Sequence, residues 1–554
     1  RVAAIQFEPQ LGAKTANIAR LLMLVETAAR NGARLIVLPE MATTGYCWYS
    51  RDEIRPYVEP IPGPTTDAFA ELAERYDCYI VIGMPEVAPH SGIFYNSAAL
   101  VGPNGLVGVY RKTHSYVSEL KWAKDGDLGL PVWDTPLGRL GILICMDAGY
   151  FEPARLLALA GAEVLCFPTN WLNDKSPGAA WRTRAFENGC YLIGANRYGL
   201  ERGVQFSGGS CVLNPDGSVQ AMQDTGDGVV YGEVSPAEAR AKSFNGTGLP
   251  DKLAARRPAL YDTLTLNSYL WEPMELHGLY GHRPLPAGRR SHVAVAQFTP
   301  SQGDPVANMG QIEALLAHLG RLQAGHNVDL VVFPEYTLSG RPDAEHPNIA
   351  LAATDTDALH ERLVTLARQA GLCLAVGYAE QCGQHTYSTT VLAGPDGILA
   401  SYNKTHVVGE ERSWCSPGAG RPPVIDLPLG RVGILADSDL CFPELPRSLA
   451  LEGCDLLVVA GGAGLPPVQA AGPTAVPLHA PAITHADPYH FHLARQRAVE
   501  NNSYVAFAGL PAPHGIGCSA IFGPERDGEI VLMGSETGVA IRAVDTAHID
   551  TPYP

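Results

Sequence analysis

The sequence has little of what several classes of protein need. It carries 40 lysine and arginine residues against 57 aspartate and glutamate residues, which gives a formal net charge of −17. It therefore lacks the cationic excess that non-specific nucleic-acid binding or docking on an anionic membrane requires. No apolar run approaches the roughly 18 residues of a membrane-spanning helix. We expect neither nucleic acid nor a membrane among its partners.

The cysteines lack the spacing of a redox or metal motif. There are twelve, none forms a CxxC pair, and several lie within apolar runs, as Cys166 does between Leu165 and Phe167. Free cysteine in such a run behaves as a small buried hydrophobe. The pattern predicts a reducing compartment without a disulfide framework. The sequence opens on Arg1-Val2-Ala3-Ala4-Ile5, which reads as a strand with no signal peptide before it, so we expect a cytoplasmic protein.

What the chain does contain is one long internal repeat. Four motifs recur in the same order, at an offset that stays between 291 and 295 residues. The pairs are Val2–Phe7 with Val293–Phe298, Leu35–Glu40 with Leu330–Glu335, Tyr110–His114 with Tyr402–His406, and Leu137–Leu143 with Leu429–Leu435. Such a long period indicates a duplicated domain and not a solenoid unit. We predict domains at 1–262 and 291–554, joined by a linker at 263–290.

Each copy alternates apolar strands with amphipathic helices. Apolar residues at helical spacing predict a helix from Thr15 to Arg30, and Pro103-Asn104-Gly105 predicts the turn of a hairpin. Further helices are expected at 153–160 and 179–188, and buried strands at 35–38, 141–145 and 164–167. Apolar strands covered by helices predict a mixed-sheet, layered α/β or α+β fold in each half.

Three residues at predicted strand ends have complementary chemistry. Glu40 follows one strand, Lys112 ends a hairpin strand and Cys145 ends another. Side chains at strand ends collect at one edge of a sheet. A thiolate can attack a carbon, a carboxylate can accept the thiol proton, and an ammonium can stabilise the oxyanion. Singly, each is more often an ordinary core or surface residue.

Together with their flanks, these residues resemble the nitrilase, or carbon–nitrogen hydrolase, superfamily over nearly the whole chain. The resemblance rests on Leu38-Pro39-Glu40, Tyr110-Arg111-Lys112-Thr113-His114 and Gly141-Ile142-Leu143-Ile144-Cys145-Met146-Asp147. It implies an αββα sandwich without metal or organic cofactor. It also implies Glu40 as general base, Lys112 as oxyanion stabiliser and Cys145 as nucleophile. Glu119, seven residues before Gly126, fits the second glutamate of the family.

The second half departs at the nucleophile. Aligning the motifs puts Asp437 opposite Cys145, whereas Glu335, Lys404 and Glu411 remain. Aspartate serves as a nucleophile in some enzymes, but its carboxylate attacks unactivated amides poorly. We predict a catalytically silent copy in which Asp437 pairs with Lys404, and an intramolecular pseudo-dimer of the two halves, with further homo-oligomers open.

The sequence indicates the class of substrate and not its identity. The sequence Cys145-Met146-Asp147 resembles the amidase and carbamoylase branches, since nitrile-hydrolysing relatives usually carry Trp-Glu after the cysteine. We expect a small-molecule amide or carbamoyl substrate, contacted by Tyr46, Asn170 and Trp171. Three alternatives stay open: a true nitrilase, an acyltransferase with an amine acceptor, and a non-catalytic scaffold.

Overall fold

The structure is a computed structural model of the 554-residue chain. It describes residues 1–172, 176–242, 252–265, 286–322, 327–343, 346, 348–462, 489–512, 514–515, 517–524, 530–533 and 536–549. The described residues form two compact units, one from Arg1 to Ala254 and the other from Ala255 onward. The predicted boundaries at 262 and 290 stay a prediction, and residues 266–285 of the predicted linker lie outside the described residues.

The first unit contains fourteen strands and six helices among its described residues. The strands are β1 (Val2–Gln6), β2 (Leu35–Val37), β3 (Tyr79–Val87), β4 (Phe94–Gly102), β5 (Gly105–Arg111), β6 (Val132–Thr135), β7 (Gly138–Ile142), β8 (Val164–Thr169), β9 (Tyr191–Asn196), β10 (Tyr198–Glu201), β11 (Val204–Ser207), β12 (Ser210–Leu213), β13 (Val219–Gln223) and β14 (Gly228–Gly232). The helices are α1 (Lys14–Arg30), α2 (Arg51–Ile54), α3 (Pro64–Tyr76), α4 (Phe151–Leu159), α5 (Ala179–Asn188) and α6 (Pro236–Ala241).

Two six-stranded sheets face each other in this unit. Their orders are β14-β1-β2-β3-β4-β5 and β13-β12-β9-β8-β7-β6, while β10 and β11 form a separate two-stranded sheet. The central strands β1, β2 and β3 are parallel neighbours, as are β7, β8 and β9. The ends of β2 and β7 therefore lie in different sheets, so a site built from both must span the interface between the sheets.

The alternation of side chains along β1 explains the layers. Val2 and Ala4 belong to the core shared by the two sheets, whereas Ala3 and Ile5 pack with apolar residues of α1 and α3. On the second sheet, residues of α4 and α5 such as Leu157 and Trp181 join the core. Because successive strand side chains point to opposite faces, each apolar strand serves two layers. The result is an αββα sandwich, which confirms the expected mixed α/β fold.

The second unit repeats this plan. Its strands are β15 (Arg290–Gln297), β16 (Val328–Val332), β17 (Leu351–Ala352), β18 (Cys373–Cys382), β19 (His385–Gly394), β20 (Gly397–Asn403), β21 (Val424–Leu427), β22 (Gly430–Ala436), β23 (Leu456–Ala460), β24 (Tyr504–Ala508), β25 (Gly517–Phe522), β26 (Ile530–Met533) and β27 (Gly538–Asp545). Its helices are α7 (Pro305–Leu322), α8 (Ala353–Ala370), α9 (Glu444–Leu451) and α10 (Tyr489–Asn501). The sheet orders are β20-β19-β18-β16-β15-β27, with β17 beside β18, and β21-β22-β23-β24-β25-β26.

Most predicted elements of the first half lie within a few residues of the observed ones. The helix expected at 15–30 is α1, the one at 179–188 is α5, and the hairpin is β4–β5. One prediction was wrong in detail: the strand expected to end at Cys145 stops at Ile142, and Cys145 begins a 3₁₀ turn, Cys145–Gly149. The apolar run continues past the strand because Leu143 and Ile144 are also buried. The Leu143 N–H still donates to the Cys166 carbonyl oxygen of β8 at 3.0 Å, whereas the Ile144 N–H donates to Asp147 Oδ2. Among the described residues, no helix is long and apolar enough to cross a membrane.

Candidate active site

Glu40 is held by a close backbone approach from β3. A Cβ atom on Gly83 would lie 2.7 Å from the Cα of Glu40 and 2.2 Å from the carbonyl oxygen of Pro39. Real Cβ atoms do not come so near, so a glycine is needed at this point of the strand. The second unit repeats the arrangement, since a Cβ on Gly377 would lie 2.8 Å from the Cα of Glu335.

Lys112 directly follows β5, and the loop that carries Glu119 returns to it. The Gly126 N–H donates to the Lys112 carbonyl oxygen at 2.7 Å, and a Cβ on Gly126 would lie 2.1 Å from the carbonyl oxygen of Arg111. The glycine seven residues after Glu119 therefore closes this loop against the lysine strand. Gly418 does the same in the second unit, because its N–H donates to the Lys404 carbonyl oxygen at 2.8 Å.

The Lys112 ammonium is shared by two carboxylates. It donates to Glu40 Oε1 at 2.9 Å and to Glu119 Oε1, and all three side chains are buried. Asn96 Nδ2 also donates to Glu40 Oε1, at 2.6 Å, and the Tyr46 hydroxyl donates to Glu119 Oε1, at 2.6 Å. The Oε2 atoms of Glu40 and Glu119 have no hydrogen-bond partner among the described residues. Each carboxylate thus has one oxygen fixed by the protein and one left for a reacting group.

Sequence reasoning missed Asn96. It lies inside the buried and mostly apolar strand β4, and its side-chain amide donates to Glu40 Oε1. A polar amide inside a buried apolar strand is costly unless it is hydrogen-bonded, so its presence there was the signal that was available. In the second unit the Ser388 hydroxyl donates to Glu335 Oε1 instead.

Cys145 occupies a strained backbone position. Its φ is +44°, in the left-handed region that side chains other than glycine seldom adopt. Asp147, two residues on, holds the turn: its Oδ2 accepts from the Ile144 N–H at 2.9 Å and from the Tyr110 hydroxyl at 2.7 Å. Its Oδ1 accepts from the His114 N–H at 3.0 Å. Asp147 therefore joins the turn of Cys145 to the segment of Lys112.

This role of Asp147 bears on the substrate argument. Asp147 is fully buried, and Asp439 makes matching bonds in the second unit with the Tyr402 hydroxyl and the N–H groups of His406 and Ala436. Because Asp439 makes these bonds in a unit without the cysteine, the bonds that hold the local backbone are enough to explain Asp147. Its presence after Cys145 carries little weight for one substrate class over another.

Burial and neighbouring charges set the protonation of the site. Burial raises the pKa of Glu40 from 4.5 to about 7, against the lowering effect of Lys112. Burial also raises the pKa of the Cys145 thiol to about 12, with a further increase from the charge of Glu40. Burial alone would lower the pKa of Lys112, but Glu119 and Glu40 outweigh it and raise that pKa well above the ordinary value. The resting site therefore holds an ammonium, a thiol and a carboxyl that titrates near neutral pH.

The residues predicted to contact substrate come from two segments, the loop after Glu40 and the residues after β8. Tyr46 is buried, and its hydroxyl is engaged by Glu119. Asn170 and Trp171 follow β8, and its last residue, Thr169, is close enough to Cys145 to lower the pKa of the thiol. The side-chain amide of Asn170 is buried and has no hydrogen-bond partner among the described residues. Trp171 packs edge-on against Trp181, with ring centroids 5.9 Å apart. Substrate contact by these three residues stays a prediction.

The corresponding cluster of the second unit differs at the turn. Lys404 Nζ lies 3.1 Å from Glu335 Oε1 and also donates to Glu411, much as in the first unit. Asp437 begins the 3₁₀ turn Asp437–Cys441 after β22, but it is not among the described residues with a positive φ. The charge of Asp437 contributes to raising the pKa of Lys404. The ion cluster is therefore present in both units, and the strained turn only in the first.

The chain also closes more tightly over the second cluster. The Glu335 N–H donates to the Gly461 carbonyl oxygen at 3.0 Å, and a Cβ on Gly462 would lie 2.2 Å from Glu335 Oε2. In the sequence alignment Gly462 stands opposite Asn170. A side chain at position 462 therefore has no room beside Glu335. Among the described residues, no group of three or more histidine, cysteine, aspartate or glutamate side chains is arranged to hold a metal ion.

Comparisons with known proteins agree with this geometry. The family model described as carbon-nitrogen hydrolase matches residues 1–243 and again residues 292–551. A nitrilase from Pyrococcus abyssi is 36% identical over 263 residues, which are 47% of this chain and 98% of that protein. The omega-amidase NIT2 of Homo sapiens is 31% identical over 250 residues, covering 42% of this chain and 88% of the relative.

One solved structure similar to this chain is that of Nit3 from Saccharomyces cerevisiae, described as a member of branch 10 of the nitrilase superfamily. It is 26% identical, has a TM-score of 0.40, and covers 44% of this chain and 94% of its own. Each of these three proteins thus matches a little under half of the chain.

The positive φ of Cys145 leads to a prediction about the stability of variants at this position. Glycine adopts φ near +44° without steric cost, whereas alanine keeps the penalty of a left-handed Cβ. We expect Cys145→Gly to be more stable than Cys145→Ala by about 0.5–1 kcal/mol in denaturant unfolding. At position 437 the order should reverse, because Asp437 has no positive φ to relieve. An alanine variant at 145 as stable as the glycine variant would show that the turn is not strained.

Proposed function

The chain belongs to the carbon–nitrogen hydrolase family, and we propose on that premise that its first half hydrolyses an amide-type bond of a small molecule through a thioester on Cys145. One observation carries the proposal. The Lys112 ammonium holds Glu40 and Glu119 by one oxygen each, and leaves their other oxygens without a partner among the described residues. A carboxylate fixed in this way is oriented for proton transfer, which needs geometry first and a suitable pKa second.

Acylation uses the Cys145 thiol, the Glu40 carboxylate and the Lys112 ammonium. The Cys145 sulfur attacks the carbonyl carbon of the substrate while its proton moves to Glu40, because a thiol with a pKa of about 12 is not ionised at rest. The carbonyl oxygen becomes an oxyanion, stabilised by Lys112 and by the backbone N–H that follows Cys145. The carbon–nitrogen bond then breaks, and Glu40 returns the proton to the departing ammonia or amine.

Deacylation uses Glu40 in the same way, first as a base and then as an acid. A water molecule gives a proton to Glu40, and the water oxygen attacks the thioester carbon. The thioester carbonyl oxygen becomes an oxyanion again, beside Lys112. The carbon–sulfur bond breaks, the acid is released, and the sulfur takes the proton from Glu40. Glu119 positions the amide of the substrate or the attacking water. In an acyltransferase an amine would take the place of this water, so product analysis separates the two.

The amide preference is the finer part of the proposal. It rests on Met146, which stands where nitrile-hydrolysing relatives usually carry tryptophan, and a relative that is 31% identical is named an omega-amidase. Another relative is named a nitrilase. A true nitrilase therefore remains the competing function, and matched substrates decide between the two.

We also propose that the second half is catalytically silent. Support comes from Asp437 in place of a thiol, from its relaxed backbone, and from the close approach of Gly462 to Glu335. The retained ion cluster is then structural: removing one member would leave buried charge unpaired, which costs about 3–5 kcal/mol. That cost explains how the cluster remains in a copy that has lost its nucleophile.

The two halves are proposed to form an intramolecular pseudo-dimer, with 1–262 as the catalytic domain, 263–290 as the linker and 291–554 as the degenerate domain. A covalent linker gives them an effective concentration on the order of millimolar. Pairing through the helices after the nucleophile strand, α4 and α9, is what the family resemblance implies. Cytoplasmic location is proposed on the cysteine pattern alone.

The substrate class and the nucleophile can be tested together. Ammonia release is measured from an amide, a carbamoyl compound and a nitrile that share one acyl group, with wild type and Cys145→Ala. We expect the highest kcat/KM for an amide or carbamoyl substrate, an acyl adduct on the Cys145 peptide by mass spectrometry, and no turnover by Cys145→Ala. A higher kcat/KM for the nitrile would reverse the assignment.

The second unit supplies a matched control for the general base. Glu40→Gln should lower kcat by about 100-fold or more, since a positioned base contributes at least that much. Glu335→Gln changes the equivalent buried residue and should leave kcat within about twofold. If both variants lose activity to the same degree, the losses reflect folding and not the base. Activity that survives Cys145→Ala but not Asp437→Asn would place catalysis in the second half.

A pH prediction follows from the raised pKa of Glu40. The base must be ionised to accept the thiol proton, so kcat/KM should fall as pH drops through about 7 and level off above it. Asn96 donates to the ionised form and lowers the pKa of Glu40, so Asn96→Ala should move the acid limb to higher pH. Ser388→Ala, the counterpart in the second unit, should not move it. An acid limb near pH 4.5 in the wild type would mean that Glu40 is not desolvated during catalysis.

The structural role of the second half is tested by expression of residues 1–262 alone. We expect a fragment that is less stable than the full chain, with a lower melting temperature, or one that forms homodimers in sedimentation. Both results follow if the first half normally buries a face against the second. A stable, fully active monomer would show that the second half has a separate role.

A further inference from the structure

A two-stranded hairpin stands apart from the two main sheets of the first unit. It consists of β10 and β11, and its residue Glu201 reaches the loop that follows Glu40. Glu201 Oε1 accepts from the Tyr46 N–H at 2.9 Å and from the Cys47 N–H at 2.6 Å. Its Oε2 pairs with Arg197 at 2.8 Å, and both of these charged side chains are buried. A buried, ion-paired carboxylate therefore fixes the backbone of Tyr46.

Tyr46 carries this restraint into the candidate active site. Its hydroxyl donates to Glu119 Oε1 at 2.6 Å, and its ring meets Phe206 of β11 edge-on at 6.0 Å. The Arg197 guanidinium lies over the same Phe206 ring, 4.1 Å from its centroid. The chain of contacts thus runs from the hairpin through Glu201 and Tyr46 to Glu119, and from there to Lys112.

The same hairpin also holds the segment after β8. The Ser207 N–H donates to the Trp171 carbonyl oxygen at 2.9 Å, and Phe206 forms an isolated β-bridge with Leu172. The hairpin therefore contacts both the loop after Glu40 and the segment that follows Thr169. These two segments carry the three residues predicted to contact substrate.

The second unit has the same fold without a hairpin like β10–β11 among its described residues. There, β24 and β25 are joined by residues 509–516, and the described part of that connection contains no two-stranded hairpin. Glu411 is still bonded by a tyrosine hydroxyl, at 2.7 Å, but it comes from Tyr336, the residue directly after Glu335. The second unit thus has a tyrosine–glutamate bond, but the described residues between its β24 and β25 form no hairpin like β10–β11.

We propose that Glu201 is a positioning residue that acts through Tyr46 on Glu119, and that the 198–207 hairpin sets the geometry of the catalytic cluster. The proposal rests on the function proposed for the first half, in which Glu119 orients the substrate amide or the water. The terminal torsion of a glutamate is broad, so one bond to Lys112 leaves its carboxylate free to rotate. The Tyr46 hydroxyl bonds the same Oε1 and directs Oε2, which has no partner among the described residues.

Kinetics of the full-length chain with its best amide substrate test this. Tyr46→Phe removes only the hydroxyl, so it should fold normally and lower kcat by about 10-fold or more, since misplacement of about 1 Å can cost 100-fold. KM should change less than kcat. Glu201→Ala should lower kcat similarly, and Glu201→Gln should restore part of the loss because its carbonyl oxygen can still accept from the two N–H groups.

The double variant separates a positioning chain from general destabilisation. If Glu201 acts through the Tyr46 hydroxyl, Tyr46→Phe/Glu201→Ala should be no more than about threefold slower than Tyr46→Phe alone, because coupled residues are non-additive. Fully multiplied losses would overturn the proposal. So would a Tyr46→Phe enzyme with kcat within twofold of wild type.

Tyr336→Phe is the matched control, since it removes an equivalent buried hydroxyl–glutamate bond from the second unit. It should lower the melting temperature about as much as Tyr46→Phe and leave kcat unchanged. An equal fall in kcat in both variants would mean that the bond serves only folding, and would overturn the proposal. Cys145→Ala distinguishes failure of the proposed function from failure of the inference about Glu201. If Cys145→Ala turns over substrate as fast as the wild type, the proposed function is refuted, and the inference about Glu201 with it.

Discussion

The first candidate site depends on one interaction, the pairing of the buried Lys112 ammonium with two glutamate carboxylates. Taking a cation and two carboxylates out of water costs several kcal/mol for each ion unless the charges are paired and hydrogen-bonded. Lys112 meets this condition by bonding one oxygen each of Glu40 and Glu119. Desolvation that the pairing does not fully offset raises the pKa of Glu40 to about 7. The same three side chains therefore satisfy the buried charges and carry the chemistry proposed for the site.

This constraint also accounts for the neighbours of the cluster. Gly83 lets the backbone of Glu40 lie against β3, and Gly126 closes the Glu119 loop on the Lys112 strand. Asn96 and Tyr46 supply the remaining donors to the two carboxylates. None of these four residues carries charge, yet each restricts where the charged groups can lie.

The duplicated half shows which features the fold needs and which it does not. Its lysine, two glutamates, closing glycines and buried Asp439 repeat those of the first half. The left-handed backbone of Cys145 and the β10–β11 hairpin have no counterpart among its described residues. Strain at one residue costs about 1–3 kcal/mol and persists where it serves a mechanism. Its association with the thiol-bearing copy is consistent with catalysis by that copy alone.

The sequence by itself determined the elements and the duplication, because both are written in local patterns. Apolar spacing specified α1, the Pro-Asn-Gly turn specified the β4–β5 hairpin, and the recurring motifs specified two copies of one sandwich. The motifs also marked Glu40, Lys112, Glu119 and Cys145 as candidates. Their meeting in one buried cluster depends on strands from two sheets, which no local pattern encodes.

Only the tertiary structure decided the rest. The Tyr46 hydroxyl bonds a residue 73 positions away in the chain, and the Tyr46 N–H donates to Glu201, 155 positions away. The positive φ of Cys145 has no local signal either, since Asp437 lacks it although Asp439 makes the same bonds as Asp147. Side-chain hydrogen bonds across such distances follow from how the sheets and loops pack. For that reason the sequence pattern indicates Tyr46 only as a pocket aromatic, does not single out Asn96, and predicts a strand end at Cys145, three residues beyond the observed end at Ile142.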